Sequence, residues 1–151
     1  MTDNEVRATF LFYPPVDDAD AWHMTFEGFE AALKQEFPGA FTRMMPDDDV
    51  RGGGYLSFEV VLAQEAVLRG LATLPFEECG CVTLTLASPS EAAVIAKWLR
   101  DVFIPSPELL RFSSEGALEI GDETHWELPT SGEADEIVED LRSHIAGVEG
   151  F

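Results

Sequence analysis

The alternation of apolar and polar residues along the chain predicts β-strands, because successive side chains of a strand point to opposite faces of a sheet. The clearest case is residues 56–62, where every second residue is apolar and Ser57 and Glu59 lie between them. Another strand, rich in β-branched and aromatic residues, ends at Pro14-Pro15. The predicted strands cover residues 5–13, 40–45, 56–62, 81–86, 109–113, 117–120 and 124–128.

Apolar residues spaced three and four positions apart predict four helices, each with one buried face. Two of them start at capping boxes, in which a Ser or Thr is followed three residues later by Glu. The first helix extends to about Phe37, the second is short and ends near residue 74, and the last carries an apolar stripe up to Ile145. The predicted starts are Asp17 or Asp18, residue 64, the box Ser88-Pro89-Ser90-Glu91, and the box of Thr130 with Glu133.

The order of these elements predicts an α+β fold in a single domain spanning residues 1–151. Residues 5–87 follow the order β-α-β-β-α-β, which is that of a ferredoxin-like sheet. Residues 88–151 add a helix, a short antiparallel meander of three strands and a C-terminal helix. A chain of 151 residues can bury ~70% of the surface of its unfolded form, which is enough for one core without disulfides.

The charge balance restricts the possible partners. The chain has 29 acidic and 9 basic residues, a formal net charge of −20. Such a field repels nucleic acid and anionic lipid and attracts basic protein surfaces, so we expect no nucleic-acid or membrane partner. The apolar runs are too short to cross a membrane and no signal peptide is recognised, so the expected location is cytoplasmic. A general acidic surface, as in a salt-adapted or GC-rich organism, remains the alternative to a specific binding face.

The sequence contains no complete motif for a metal or a cofactor, and we predict neither. Cys79 and Cys81 lack the second cysteine pair of a zinc site, so both are expected to be free thiols. On its strand, Cys81 is expected on the face opposite Val82, Leu84 and Leu86. A calcium loop starting at Asp47 fails because Arg51 and Phe58 occupy ligand positions, and the glycines at 52–54 lead into a strand instead of a phosphate-binding helix.

No catalytic residue is predicted either. The chain has three histidines, and none stands in a close-spaced motif. His23 is expected on the polar face of the first helix, His125 on the strand face away from Trp126, and His144 near the end of the last helix, where a cation suits the helix dipole. No nucleophile motif of the Gly-x-Ser-x-Gly type is present.

Acidic residues are concentrated towards the C-terminus. Between Glu115 and Phe151 there are eleven acidic residues and one basic residue, Arg142. The leading functional hypothesis is an acidic protein-binding module, in its most concrete form an inhibitor or immunity-type protein that masks a basic enzyme. A small-molecule-binding regulatory or sensor domain is the alternative, and an enzyme comes third. The predicted interaction residues are Asp47, Asp48, Asp49, Asp122, Glu123, Glu133, Glu136 and Asp140.

Overall fold

The computed structural model describes residues 7–18, 21–45, 55–62, 67–76, 79–122 and 124–149. These residues form one seven-stranded antiparallel sheet and four α-helices, which confirms the α+β class. The strands are β1 (Ala8–Tyr13), β2 (Phe41–Met45), β3 (Tyr55–Val61), β4 (Val67–Phe76), β5 (Cys79–Ala87), β6 (Arg111–Ser114) and β7 (Trp126–Glu127). The α-helices are α1 (Phe26–Glu36), α2 (Pro89–Trp98), α3 (Glu115–Glu119) and α4 (Ala134–Glu149).

The strands lie in the order β2-β3-β4-β5-β1-β6-β7. Strands β2 to β5 form a meander, and β1 is inserted between β5 and β6 with antiparallel pairing on both sides. Alternate residues of β1 and β3 are buried, and Phe10, Phe12 and Phe58 are among the largest fully buried side chains. The alternation predicted for residues 56–62 is therefore confirmed as a strand with one buried face.

Helices α1, α2 and α4 pack on that buried face. The Phe29 ring of α1 lies 5.5 Å from the ring of Phe58 on β3, and His144 of α4 lies 5.0 Å from Phe112 on β6. The opposite face, which we call the open sheet face, is formed by the other alternate residues. Helices α1, α2 and α4 lie on the other side of the sheet, whereas on this face the ring of His125 packs edge-on against Tyr13 at 5.5 Å and Ser113 is buried. One row of paired residues crosses six strands of this face: Arg43, Ser57, Leu71, Thr83, Leu11 and Ser113.

The first helix begins later than the sequence predicted. Asp17 and Asp18 belong to a single 3-10 turn, and α1 starts at Phe26, where the Thr25 hydroxyl accepts a hydrogen bond from the Gly28 amide at 3.0 Å. The reason lies at His23, whose φ of 51° cannot occur within a right-handed helix. The prediction that His23 lies on the helix surface is therefore wrong.

The helix predicted for residues 64–74 is wrong, because residues 67–76 form strand β4. Leu68 and Leu71 suit a helix by spacing, but here Leu68 and Ala72 are buried on the sheet. Gly70 lies between them against the Phe58 ring, and an added Cβ would collide with that ring and approach the Thr83 carbonyl oxygen to 2.7 Å. The ferredoxin-like order is consequently not confirmed.

The capping box at Ser88 is confirmed. Its hydroxyl accepts from the Glu91 amide and its own amide donates to the Glu91 carboxylate, both at 3.1 Å. At the end of β5, Leu86 has a φ of 50° and is 62% exposed, so the prediction that it shares the buried face of Val82 and Leu84 is wrong. Ala87 is buried in its place.

The predicted three-stranded meander is also corrected. Residues 115–119 form helix α3 between β6 and β7, because the Ser114 hydroxyl accepts a hydrogen bond from the Ala117 amide and caps a helix there. The last helix begins at Ala134, not directly after Thr130, and its predicted stripe of Ile137, Leu141 and Ile145 is buried. No described helix is long and apolar enough to cross a membrane.

Candidate binding surface

Exposed carboxylates are concentrated on α3, on α4 and on the residues that flank them. We define the acidic surface as Glu115, Glu119, Asp122, Glu133, Asp135, Glu136, Glu139 and Asp140. All are exposed except Asp122, which is partly buried. The basic residue of this region, Arg142, lies 3.2 Å from Glu139. The sequence-predicted residues Asp122, Glu133, Glu136 and Asp140 thus lie in one region, whereas Asp47, Asp48, Asp49 and Glu123 lie outside the described residues.

Like charges follow one another along the exposed side of α4. Glu136 and Asp140 are one helical turn apart, as are Asp135 and Glu139. Each like-charged pair of this spacing destabilises a helix by ~0.2–0.5 kcal/mol. Because the buried stripe of α4 faces the sheet core, these carboxylates project away from the core towards solvent. The helix therefore presents an excess of negative charge over its one arginine, Arg142.

A buried arginine fixes the start of α4. Arg100, which is 3% exposed, donates to the carbonyl oxygens of Pro129 at 2.9 Å and Gly132 at 2.7 Å. It also forms a two-pronged ion pair with the neighbouring Asp101, at 2.6 Å and 3.0 Å. The guanidinium thereby joins the turn that follows α2 to the loop that precedes α4. The sequence did not single out this residue, since its partner carbonyl groups lie 29 and 32 positions further along the chain.

The charges around Arg100 stabilise its cationic form. The hydrogen bonds of Asp101 raise the pKa of Arg100, burial acts against this, and Glu136 and Glu133 raise it further. Conversely, the hydrogen bonds from Arg100 lower the pKa of Asp101. Lys97, whose Nζ lies 3.2 Å from Oδ2 of Asp101, lowers it further. Arg100 is thus a buried cation beside the acidic surface, and its hydrogen bonds stabilise the fold.

The structure brings together two residues that the sequence analysis treated separately. The Ser114 hydroxyl and Nε2 of His144 lie 2.8 Å apart, although 30 positions separate them. Both are buried, and the His144 ring packs edge-on against Trp126 at 4.4 Å. Burial lowers the pKa of His144, and the negative charge of Asp122 partly offsets this effect. Hydrogen bonds from Thr124 lower the pKa of Asp122 itself. His144 thus lies in the C-terminal part of α4 as predicted, with its ring buried against the sheet.

The Ser114–His144 pair is not arranged for nucleophilic catalysis. Ser114 is 3% exposed, and its hydroxyl already caps α3. Among the described residues, Nδ1 of His144 has no hydrogen-bond partner, so the carboxylate that orients a catalytic histidine is not observed. The pair links α4 to α3 and β6, and this role positions the acidic surface.

Two cavities adjoin α4. One, of about 330 Å³, lies beside the pair just described and is lined by Phe112, Trp126, Glu127, Asp140, Ser143 and His144. The other, of about 270 Å³, lies between α1, α2 and α4 near Trp98, whose buried Nε1 has no hydrogen-bond partner among the described residues. Both volumes lie at or below the lower end of the ~300–1,000 Å³ typical of small-molecule sites.

The remaining candidates carry no cluster of reactive groups. His125 faces the open sheet, away from Trp126 as predicted, and its Nδ1 lies 2.8 Å from the Tyr13 hydroxyl. Burial raises the pKa of Tyr13 to about 12, and the charge of Cys81 adds to this. Cys81 forms no disulfide, whereas the side chain of Cys79 is outside the described part of the chain. Within the described residues, no three His, Cys, Asp or Glu side chains are grouped closely enough to hold a metal ion.

No protein-family model matches the chain, and comparison with curated proteins and with solved structures finds no match.

Proposed function

We propose that this chain is a protein-binding module that engages a basic protein through the acidic surface of α3 and α4. The observation that carries the proposal is the exposed side of α4, where Asp135, Glu136, Glu139 and Asp140 stand together and outnumber the single arginine of that helix, Arg142. Surfaces of one sign steer an oppositely charged partner and accelerate its association. In its most concrete form, the protein is an inhibitor or immunity-type protein that masks a basic enzyme in the cytoplasm.

The test begins by isolating the partner on immobilised protein at low salt and identifying it. The triple variant Glu133→Gln, Glu136→Gln, Asp140→Asn is then compared with a matched control. The control, Asp17→Asn, Asp18→Asn, Glu27→Gln, removes three exposed charges from positions outside α3, β7 and α4. Both variants must retain the circular dichroism spectrum of the wild type.

We expect the association rate with the identified basic partner to fall at least about tenfold for the α4 variant and much less for the control, because surface charges act mainly on the association rate. The difference should shrink above roughly 0.5 M NaCl, where charges are screened beyond ~4–5 Å. Equal effects of the two variants would mean that net charge, and not this surface, attracts the partner.

A small-molecule-binding regulatory domain is the second candidate. The cavity beside Trp126 supports it, because His144 lines that cavity and its Nδ1 has no hydrogen-bond partner among the described residues. Its small volume places this candidate second. A screen of small metabolites by thermal shift tests it, and the signature would be stabilisation that Trp126→Ala removes.

A further inference from the structure

The open sheet face differs in charge from the rest of the molecule. In the whole chain acidic residues outnumber basic ones by 29 to 9. On the described part of this face the balance is reversed, with the basic residues Arg43, Arg69 and Arg111 and the acidic residues Glu59 and Glu127. Two of the arginines lie near the two glutamates, Arg69 at 3.2 Å from Glu59 and Arg111 at 3.9 Å from Glu127. The face is therefore close to neutral.

The same face exposes apolar side chains on adjacent strands. Val61 and Val67 are direct cross-strand partners and are 57% and 41% exposed. Phe41, on the neighbouring edge strand, is paired with Glu59 and is 62% exposed. Leu11 and Leu71 lie further along the face, in the row that crosses six strands. Exposed apolar groups that adjoin one another on a sheet face are typical of an association surface.

We propose that the open sheet face binds the open sheet face of a second copy of this chain, giving a two-layered sheet dimer. A nearly neutral face that carries both arginines and glutamates is complementary to itself, and two-fold dimers pair the same patch on both subunits. The dimer also keeps the carboxylates of the two α4 helices apart, because α4 lies on the other side of each sheet. A basic partner, by contrast, would find no excess of negative charge on this face.

The dimensions of the face suit this partner. Seven strands spaced ~4.8 Å apart, with an average length of about six residues, give roughly 600 Å² in projection. Side-chain relief raises the accessible area towards the ~800 Å² per partner of a standard interface. Two sheets packed in this way lie ~10 Å apart, with their side chains interdigitated. Such a dimer can have its two-fold axis between the two sheets and parallel to β5, the central strand. This axis places Leu71 of one copy opposite Leu11 of the other.

The experiment measures the molar mass in solution by sedimentation equilibrium and light scattering over about a hundredfold range of concentration. We expect the wild type to dimerise, and dimerisation to strengthen between roughly 0.05 and 0.5 M NaCl because salt screens the repulsion of two acidic chains. This salt dependence is opposite to that expected for binding a basic protein, and the inference stands independently of the proposed function.

Matched substitutions test the location of the interface. Val61→Glu on the open face is compared with Val102→Glu on the helical side, since the two valines are 57% and 62% exposed. A second pair, Thr85→Glu and Thr130→Glu, places the same charge at two exposed threonines, the first of them on the open face. In Val61→Glu the added carboxylate is buried in the interface without a cationic partner, and in Thr85→Glu the two added carboxylates lie close to the two-fold axis and repel each other. Either change should weaken dimerisation at least about a hundredfold.

We expect the open-face variants to be monomeric and both controls to dimerise like the wild type, with all circular dichroism spectra unchanged. If Val61→Glu does not fold, the comparison of Thr85→Glu with Thr130→Glu tests the location of the interface, because Thr85 is an exposed polar residue. A wild type that is monomeric at every concentration and salt overturns the proposal. So does dimerisation that the open-face variants leave unchanged, or that the controls weaken equally.

Discussion

The contacts of Arg100 predict that replacing it will destabilise the fold without unfolding it. In Arg100→Met the side chain keeps much of its aliphatic length, so packing is largely preserved, but the guanidinium is lost. Four hydrogen bonds disappear with it: two to Asp101 and one each to the carbonyl oxygens of Pro129 and Gly132.

The size of the loss follows from which groups remain unpaired. Hydrogen bonds to charged groups contribute ~1.5–3 kcal/mol each. Water can replace the bonds to Asp101, because its side chain is 36% exposed and retains Lys97 at 3.2 Å. The two carbonyl bonds therefore dominate, and removing a buried charge returns part of its desolvation cost. We expect the free energy of unfolding to fall by about 2–3 kcal/mol.

The assay is equilibrium urea unfolding of the wild type, Arg100→Met and Arg100→Lys, monitored by circular dichroism. The midpoint should shift with an unchanged slope, because the surface exposed on unfolding stays the same. Arg100→Lys should lie between the other two, since one ammonium group cannot reach all three partners in the geometry of the guanidinium fork. Amides of the first turn of α4 should also exchange faster in Arg100→Met. A loss below about 0.5 kcal/mol, the range of ordinary surface substitutions, would refute this account of Arg100.

Three further predictions concern the fold. Melting temperature should rise from low to moderate NaCl, since screening reduces the self-repulsion of the −20 chain; a flat or falling curve would mean that the carboxylates are locally compensated. Gly70→Ala should lower the free energy of unfolding by about 1–3 kcal/mol, because its methyl group would collide with the Phe58 ring; Gly39→Ala, which meets nothing within 4 Å, is the control. The pKa of His144 is lower in the folded protein than its unfolded value of about 6.5. Neutral His144 therefore contributes its full stability above a pH of about 6.5, and this contribution is lost as the pH falls towards the pKa of the folded state. Urea unfolding at about pH 7.5 and 5.5 should show a larger decrease for wild type than for His144→Gln, and equal decreases would contradict this.

Local signals were sufficient for several elements. The alternation in β3, the capping box at Ser88 and the apolar stripe of α4 were predicted from the sequence and are confirmed. Each depends on residues within one or two turns or a single strand. The exposed positions of Glu133, Glu136 and Asp140 followed in the same way, because residues that lie off an apolar stripe face solvent.

The errors arose where non-local contacts outweighed the local pattern. The leucine spacing of residues 67–74 fits a helix as well as a strand, and pairing with β3 and β5 selects the strand. That pairing brings Gly70 against Phe58, which no short-range pattern reveals. Likewise the backbone conformation of His23, which delays the start of α1, leaves no signature in the neighbouring residues.

The sequence by itself determined the net charge of −20, the α+β class and the acidic exposed side of the last helix. The tertiary structure decided how the charges are divided between surfaces. Arg43, Arg69 and Arg111 come from three separate strands and share the open sheet face only because the register aligns them there. A shift of one residue in any strand would turn its side chains to the opposite face, and strand register is fixed by pairing between residues far apart in the chain.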